Sequence, residues 1–188
     1  MELSEVVTEE QAQRIQKLRQ RVIETIGSNM DLYGVTMSVG HMYGYMYFQN
    51  EPVTLDEMRG AMGMSKTSMS TGMRTLMDLK MVHKVWGKGS RKDLYVVEPD
   101  WYQTFTDYFS IRWRKSVEMN IHAVKKSLSE LKALKLEAVE SGDSKLVELL
   151  EQDERKMEEA IKYYKWLTRL IDTFESGEIF EYVPKEEG

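Results

Sequence analysis

Between Thr54 and Ser65 the chain carries the start of one helix, its end, and the start of another. Thr54-Leu-Asp-Glu57 has the capping-box pattern, in which a hydroxyl at the N-cap is answered by a carboxylate three residues on, so a short helix is predicted from residue 55. Gly63 suits the left-handed residue that closes a helix. Ser65 then caps a second helix, predicted over 66–80, with Met69, Met73, Leu76 and Met77 facing inward. MVHKVW (81–86) and DLYVVE (93–98) read as two short strands joined by the basic glycine loop Gly87-Lys-Gly-Ser-Arg-Lys92. Two helices across a tight turn, followed by a hairpin with a Lys/Arg tip, is the order of a winged helix-turn-helix.

Charge supports that reading. The 188-residue chain has a net charge of −5, which by itself argues against a nucleic-acid partner. Residues 59–92 reverse the argument: eight Lys and Arg face Asp78 alone, a net of +7 that leaves −12 for the remainder. A basic island on an acidic body is the electrostatic footprint of a phosphate-binding surface, although a merely solvated basic face has the same composition.

The stretch GMSKTSMSTGMRTL (63–76) is the centre of the island, dense in Ser, Thr and Met and free of acid. As a recognition helix it would enter the major groove of duplex DNA. Ser65, Lys66, Thr67, Ser68, Ser70, Thr71 and Arg74 are its candidate contacts. Short hydroxyls can bond phosphates or base edges while the backbone stays close, and a helix N-terminus attracts phosphate. Ser65 has a competing role as the N-cap, and Arg74 could instead pair with Asp78 one turn on. On the wing, Lys88, Arg91 and Lys92 are expected to meet the minor groove or flanking phosphates.

The rest of the chain is helical in pattern. Residues 8–31 read as a helix capped by Thr8, and about 36–49 as a second, in which Gly40 and Gly44 would let a neighbouring element approach closely. After Pro99 the helical period returns for some forty residues, with Val117, Ile121, Val124, Leu128 and Leu131 as a heptad-like seam. Ser141-Gly-Asp143 breaks it, and 144–175 forms a second long helix, an antiparallel hairpin with the first. The expected organisation is therefore mainly α with a small β-wing: an N-terminal helix (1–31) belonging to the dimerisation region, a winged helix-turn-helix DNA-binding domain (32–98), a helical-hairpin dimerisation and effector region (99–175), and a frayed acidic tail (176–188). A palindromic operator requires two-fold protein symmetry, so the extended seam predicts a homodimer.

Large rings are concentrated directly after the wing, at Trp101, Tyr102, Phe105, Tyr108, Phe109 and Trp113, and earlier around Tyr43. They could fill the junction between domains. Residues 101, 105 and 108 also share a helix face, where rings can form the cage that a quaternary ammonium ligand needs.

Catalytic and cofactor patterns are missing. His41, His83 and His122 have no metal-ligand spacing, and no nucleophile elbow or phosphate loop occurs, so neither enzyme activity nor a cofactor or metal is expected. The chain has no cysteine, which suits a reducing cytoplasm. Its polar, acidic start is not a signal peptide, and its apolar runs fall short of a membrane span. The competing class is a protein-interaction adaptor built on a winged-helix scaffold.

NMDLYGVTMSVGHMYGYMYF (29–48), TLDEMRGAMGMSKTSMSTGMRTLMDLKMVHKVWGKGSRKDLY (54–95) and the aromatic-basic run Phe105–Arg114 resemble the GbsR-type branch of MarR-like regulators, the glycine betaine synthesis repressors. The resemblance covers about residues 20–175. It implies a dimeric winged-helix repressor that controls choline import and oxidation to glycine betaine, with choline as inducer. It maps the recognition helix onto 65–79 and the wing onto 86–93, and it favours an effector cage drawn from Tyr43, Trp101, Phe105 and Tyr108. On this pattern a ligand seated between dimer helices and winged helix would bias the separation of two recognition helices. Paralogues in the branch control osmolyte uptake, so the target genes and effector stay open, and a regulator of an unrelated effector remains an alternative. Two positions depart from the wider family: Lys80 stands where a glycine usually ends the recognition helix, and Arg91-Lys92-Asp93 replaces the usual Asp-x-Arg-Arg wing order.

Overall fold

The computed structural model describes residues 7–87 and 92–186, and the chain divides into two compact units, Met1–Thr104 and Phe105–Gly188.

The first unit begins with α1 (Glu9–Asn29), closed at its start by a capping box between Thr8 and Gln11. A 3-10 turn (Met30–Tyr33) ends at Gly34, whose φ of +64° requires the left-handed region, so the helix expected to reach residue 31 stops short. α2 (Met37–Tyr47) packs against α1. As the glycine spacing predicts, the backbones come close: a methyl built on Gly40 would lie 2.8 Å from Gly27 Cα, and one on Gly44 would lie 3.1 Å from Ile23 Cα.

α3 (Leu55–Met62) starts where the capping box places it. Thr54 N and Oγ1 donate to Glu57 Oε2 at 2.7 and 2.8 Å, and Glu57 N returns a bond to Thr54 Oγ1 at 3.2 Å. These bonds from Thr54 hold the Glu57 carboxyl below the usual glutamate range. Gly63 closes α3 at φ +64°. α4 (Lys66–Asp78) packs on both α3 and α2 through Met69, Gly72, Met73 and Leu76, all buried; Met77, expected inward, is only half-buried. Met42, Met58 and Met81 complete a core whose unbranched side chains fill irregular space between short helices.

Lys80 follows α4 with φ +56°, the only non-glycine residue with positive φ among the described residues. This turn swings the chain into β1 (Val82–Val85), antiparallel to β2 (Leu94–Val97), with Val82 opposite Val97 and Val85 opposite Leu94. Val53 adds a third, one-residue rung, exchanging two 2.9 Å backbone bonds with Tyr95. A lone rung has no alternation to reveal it, and the sequence reading misses it.

The second unit is the hairpin of α5 (Trp101–Glu140), apart from its first turn, and α6 (Ser144–Ser176). Part of the predicted seam packs inside this hairpin: Val117 meets Leu167 and Ile171, with Ile121 packed against them, while Leu131 and Ala138 meet Leu150. Those seam residues thus find partners within one chain. Apolar surface is left open elsewhere, at Met119, Leu134, Leu136, Val139, Leu149, Tyr163 and Trp166. Arg114 fastens α5 to α6, donating to Asp172 Oδ1 and Glu175 Oε2 at 2.7 Å each. The tail is not frayed at its start: Gly177 ends α6 at φ +78°, and α7 (Ile179–Tyr182) follows, with Tyr182 Oη donating to Glu178 at 3.0 Å. Among the described residues no helix is long and apolar enough to cross a membrane, and no three His, Asp or Glu side chains group to hold a metal.

Candidate nucleic-acid interface

α4 separates its residues by period. Positions 69, 72, 73 and 76 turn inward, so Lys66, Thr67, Ser68, Ser70, Thr71 and Arg74 fall together on the opposite, exposed face. Ser65 Oγ accepts from Ser68 N at 3.1 Å, the N-cap bond expected of it, and donates to Ser68 Oγ at 2.9 Å. These two hydroxyls are therefore partly occupied by the helix start. Arg74 and Asp78 form no ion pair among the described residues, which leaves the guanidinium to the exposed face. From Gly63 to Leu76 no carboxylate offsets Lys66, Arg74 and the positive end of the helix dipole.

Two of the wing's lysines, Lys84 and Lys92, are already paired. Lys88 and Arg91 lie outside the described residues. Lys92 Nζ is 3.1 Å from Asp56 Oδ2, tying the wing to the first turn of α3, and this hydrogen bond holds the Asp56 carboxyl below its usual range. Lys84 Nζ is 2.8 Å from Asp93 Oδ1. These exposed pairs are weak in water and can exchange a carboxylate for a phosphate. Sequence reasoning passed over Trp86, which stands between β1 and the loop and is 89% exposed.

The candidate effector residues divide between the two units. In the first, Trp101 sits edge-on to Tyr43 at 5.8 Å and to Tyr47 at 5.1 Å between ring centroids. Tyr43 is buried, while Trp101 and Tyr47 are each more than a third exposed, so the cluster is closed beneath and open above. Tyr47 was not among the predicted rings, although its place four residues from Tyr43 on one helix was the signal for it. Burial pushes the Tyr43 phenol up to about 12; the Thr104 hydroxyl offsets part of this, and Tyr33, Tyr47 and Glu98 add to it. The Tyr43 and Thr104 hydroxyls are nevertheless both buried and fall short of hydrogen-bond geometry, leaving two polar atoms unsatisfied beneath the rings. A cleft of about 540 Å³ adjoins Tyr47, between Arg19, Phe48, Glu51, Val53 and Val97. Phe105 and Tyr108 belong to the second unit. There Phe105 packs edge-on to Phe174 at 6.0 Å, and Arg112 lies 5.8 Å from the Tyr108 ring centroid.

Residues 101–181 match the C-terminal helical hairpin of GbsR family transcriptional regulators. The HTH-type transcriptional repressor GbsR of Bacillus subtilis (strain 168) is 40% identical over 174 residues, 92% of this chain and 94% of that protein. The HTH-type transcriptional repressor OpcR of the same organism is 41% identical over 173 residues, 91% of each. Among solved structures, a transcriptional regulator aligns at 17% identity over 79% of this chain and 98% of that one, with a TM-score of 0.43. S. aureus MepR in its DNA-binding conformation aligns at 16% over 69% and 96%, with a TM-score of 0.36. With identity near 40% over more than nine-tenths of its length, the chain belongs to the GbsR family of HTH-type transcriptional repressors.

Proposed function

We propose that this repressor acts as a homodimer whose two α4 helices enter successive major grooves of a palindromic operator, and that a small quaternary ammonium compound, choline or a relative, controls its hold on DNA. The observation that carries the DNA-binding half is the α4 face: Lys66, Arg74 and five Ser and Thr hydroxyls from 65 to 71, all exposed, with no acid among them. Binding should be steeply salt-dependent, because each neutralised phosphate releases counterion. The open apolar surface of the hairpin, including Met119, Leu136 and Trp166, supports the dimer. Resemblance to the choline-responsive branch supports control of glycine betaine synthesis or osmoprotectant uptake genes.

The rings of Tyr43, Tyr47 and Trp101 support the effector reading, since half-open aromatic faces attract a cation. The unsatisfied hydroxyls of Tyr43 and Thr104 offer a polar ligand group partners that the fold does not supply. To induce, the ligand must bind the DNA-incompetent state more tightly, because equal affinity for both states shifts nothing.

Fluorescence anisotropy with fragments from upstream of this repressor's own gene and its neighbours tests the first half. Lys66→Ala and Arg74→Ala should each weaken binding and each lower the salt slope by about one. Absence of specific binding to any such fragment at moderate salt refutes the proposal. Calorimetric titration with choline and with glycine betaine tests the second half, repeated on Trp101→Ala, Phe105→Ala and Tyr108→Ala. Unchanged choline affinity in Trp101→Ala removes that ring from the site, and the other two decide whether the second unit takes part.

A further inference from the structure

Trp86 is the most exposed large apolar side chain among the described residues, at 89%. Rings of this size normally contribute by leaving water, and this one contributes almost nothing that way to folding. It follows the last residue of β1 and shares a strand face with Lys84, two residues back. Lys84 Nζ lies 5.4 Å from the centroid of the ring and 2.8 Å from Asp93 Oδ1. The indole is thus held from one side by an ammonium that is itself anchored, and its remaining surface is open. The six residues after it contain Lys88, Arg91 and Lys92, so the sequence around the ring is cationic.

We infer that Trp86 packs against the sugar–phosphate backbone of duplex DNA beside the groove that α4 enters. This rests on the winged-helix reading above. A ring with Lys84 over it, in a stretch of sequence this rich in lysine and arginine, suits a polyanion, whereas a protein partner's apolar patch would have to desolvate the Lys84 ammonium. In a duplex the base faces are stacked and closed to such a ring. What it can meet is the C–H wall of deoxyribose, with the indole N–H donating to a phosphate oxygen. Both groups recur at every nucleotide, so Trp86 adds affinity that does not depend on sequence. The Lys84–Asp93 pair presets the ring, which lowers the ordering cost at binding.

Full-length protein and a mixed-sequence duplex of about 30 base pairs at low salt suffice for the test, because non-specific duplex binding rests on backbone contacts. Trp86→Ala should weaken binding roughly fivefold, no more than the bottom of the range for rings that stack on unpaired bases. Trp86→Phe should retain most of the affinity. The slope of log K against log salt should stay unchanged in both, because an uncharged ring releases no counterion. A second readout follows the indole directly: with Trp101, Trp113 and Trp166 replaced by Phe, the remaining emission should become shielded from acrylamide as duplex saturates. If that variant fails to fold, the difference between wild type and Trp86→Phe gives the same signal. Unaltered affinity in Trp86→Ala, or a ring still quenched at saturating duplex, overturns the inference. A fall in sedimentation coefficient for Trp86→Ala without DNA also overturns it, by placing the ring against a second copy. If the wild type itself fails to bind duplex, the DNA-binding reading falls first, and this inference with it.

Discussion

Replacing Gly40 by alanine should destabilise the first unit, although alanine is the better helix former. In an isolated helix the change is worth about 1 kcal/mol in favour of alanine. Here the new methyl would sit 2.7 and 2.8 Å from Met30 Cγ and Cβ and 2.8 Å from Gly27 Cα. Carbon atoms in contact rest at about 3.5–4.0 Å, so α1 and α2 must part by roughly 1 Å. Met30 can yield in part, but Gly27 Cα is backbone and moves only with its helix. Overpacking of this kind costs about 1–3 kcal/mol, and the backbone contact places Gly40→Ala in the upper half of that range. The net expectation is a loss of about 1–2 kcal/mol once the propensity gain is subtracted. Gly60→Ala is the matched control: that glycine is also helical, and nothing lies within 4 Å of a methyl built on it. It should gain about 0.5–1 kcal/mol. Urea unfolding followed by far-ultraviolet circular dichroism, at one fixed protein concentration, compares the midpoints. Equal midpoints for the two variants would refute the argument that close backbone approach, rather than helix propensity, decides what residue 40 can be. Because α2 also supports α4 through Val39 and Met42 against Gly72, the surviving fraction of Gly40→Ala should bind DNA less well at the same total concentration.

Lys80→Gly should stabilise the protein by about 1 kcal/mol, because a side chain at φ +56° carries left-handed strain that glycine lacks. A lower urea midpoint for this variant would show that the lysine side chain contributes more than the strain costs. Glu57→Gln should lose under about 1 kcal/mol at neutral pH, a modest figure for an exposed cap. Since folding lowers the Glu57 carboxyl, its contribution is full above the ordinary glutamate range and is lost as the pH falls from there through the lowered folded-state value. The wild-type and Glu57→Gln midpoints should therefore converge on acidification, and a gap that persists in acid rules out this origin for the effect.

Much of the candidate interface was legible because its signals are local. A capping box, a glycine after a helix and a serine before the next one are decided by bonds spanning three or four residues, so α3 and α4 stand within two residues of their expected ends. The alternation of buried Met69, Gly72, Met73 and Leu76 with exposed hydroxyls follows from helical period alone. The basic island is a property of composition, and the family likeness follows from motifs in the same stretch.

Other features depend on which surfaces meet. The seam from Val117 to Leu131 has a period that suits a partner helix of either the same chain or another, and only the packed hairpin shows that α6 meets it at Val117 and Leu131. Lys92 and Lys84 look free in sequence because the carboxylates that hold them, Asp56 and Asp93, are recognisable as partners only once the wing folds back. The exposure of Trp86 is invisible for the same reason: a tryptophan after a strand is ordinarily core, and burial depends on all neighbours at once. The sequence by itself determined the main helices and the two wing strands, the acid-free face of α4 and the sign of the charge around it, since these depend on covalent order and short-range bonds. Tertiary structure decided which rings stand open, which hydroxyls are left unsatisfied and which lysines are already paired, because each is a contact between residues far apart in the chain.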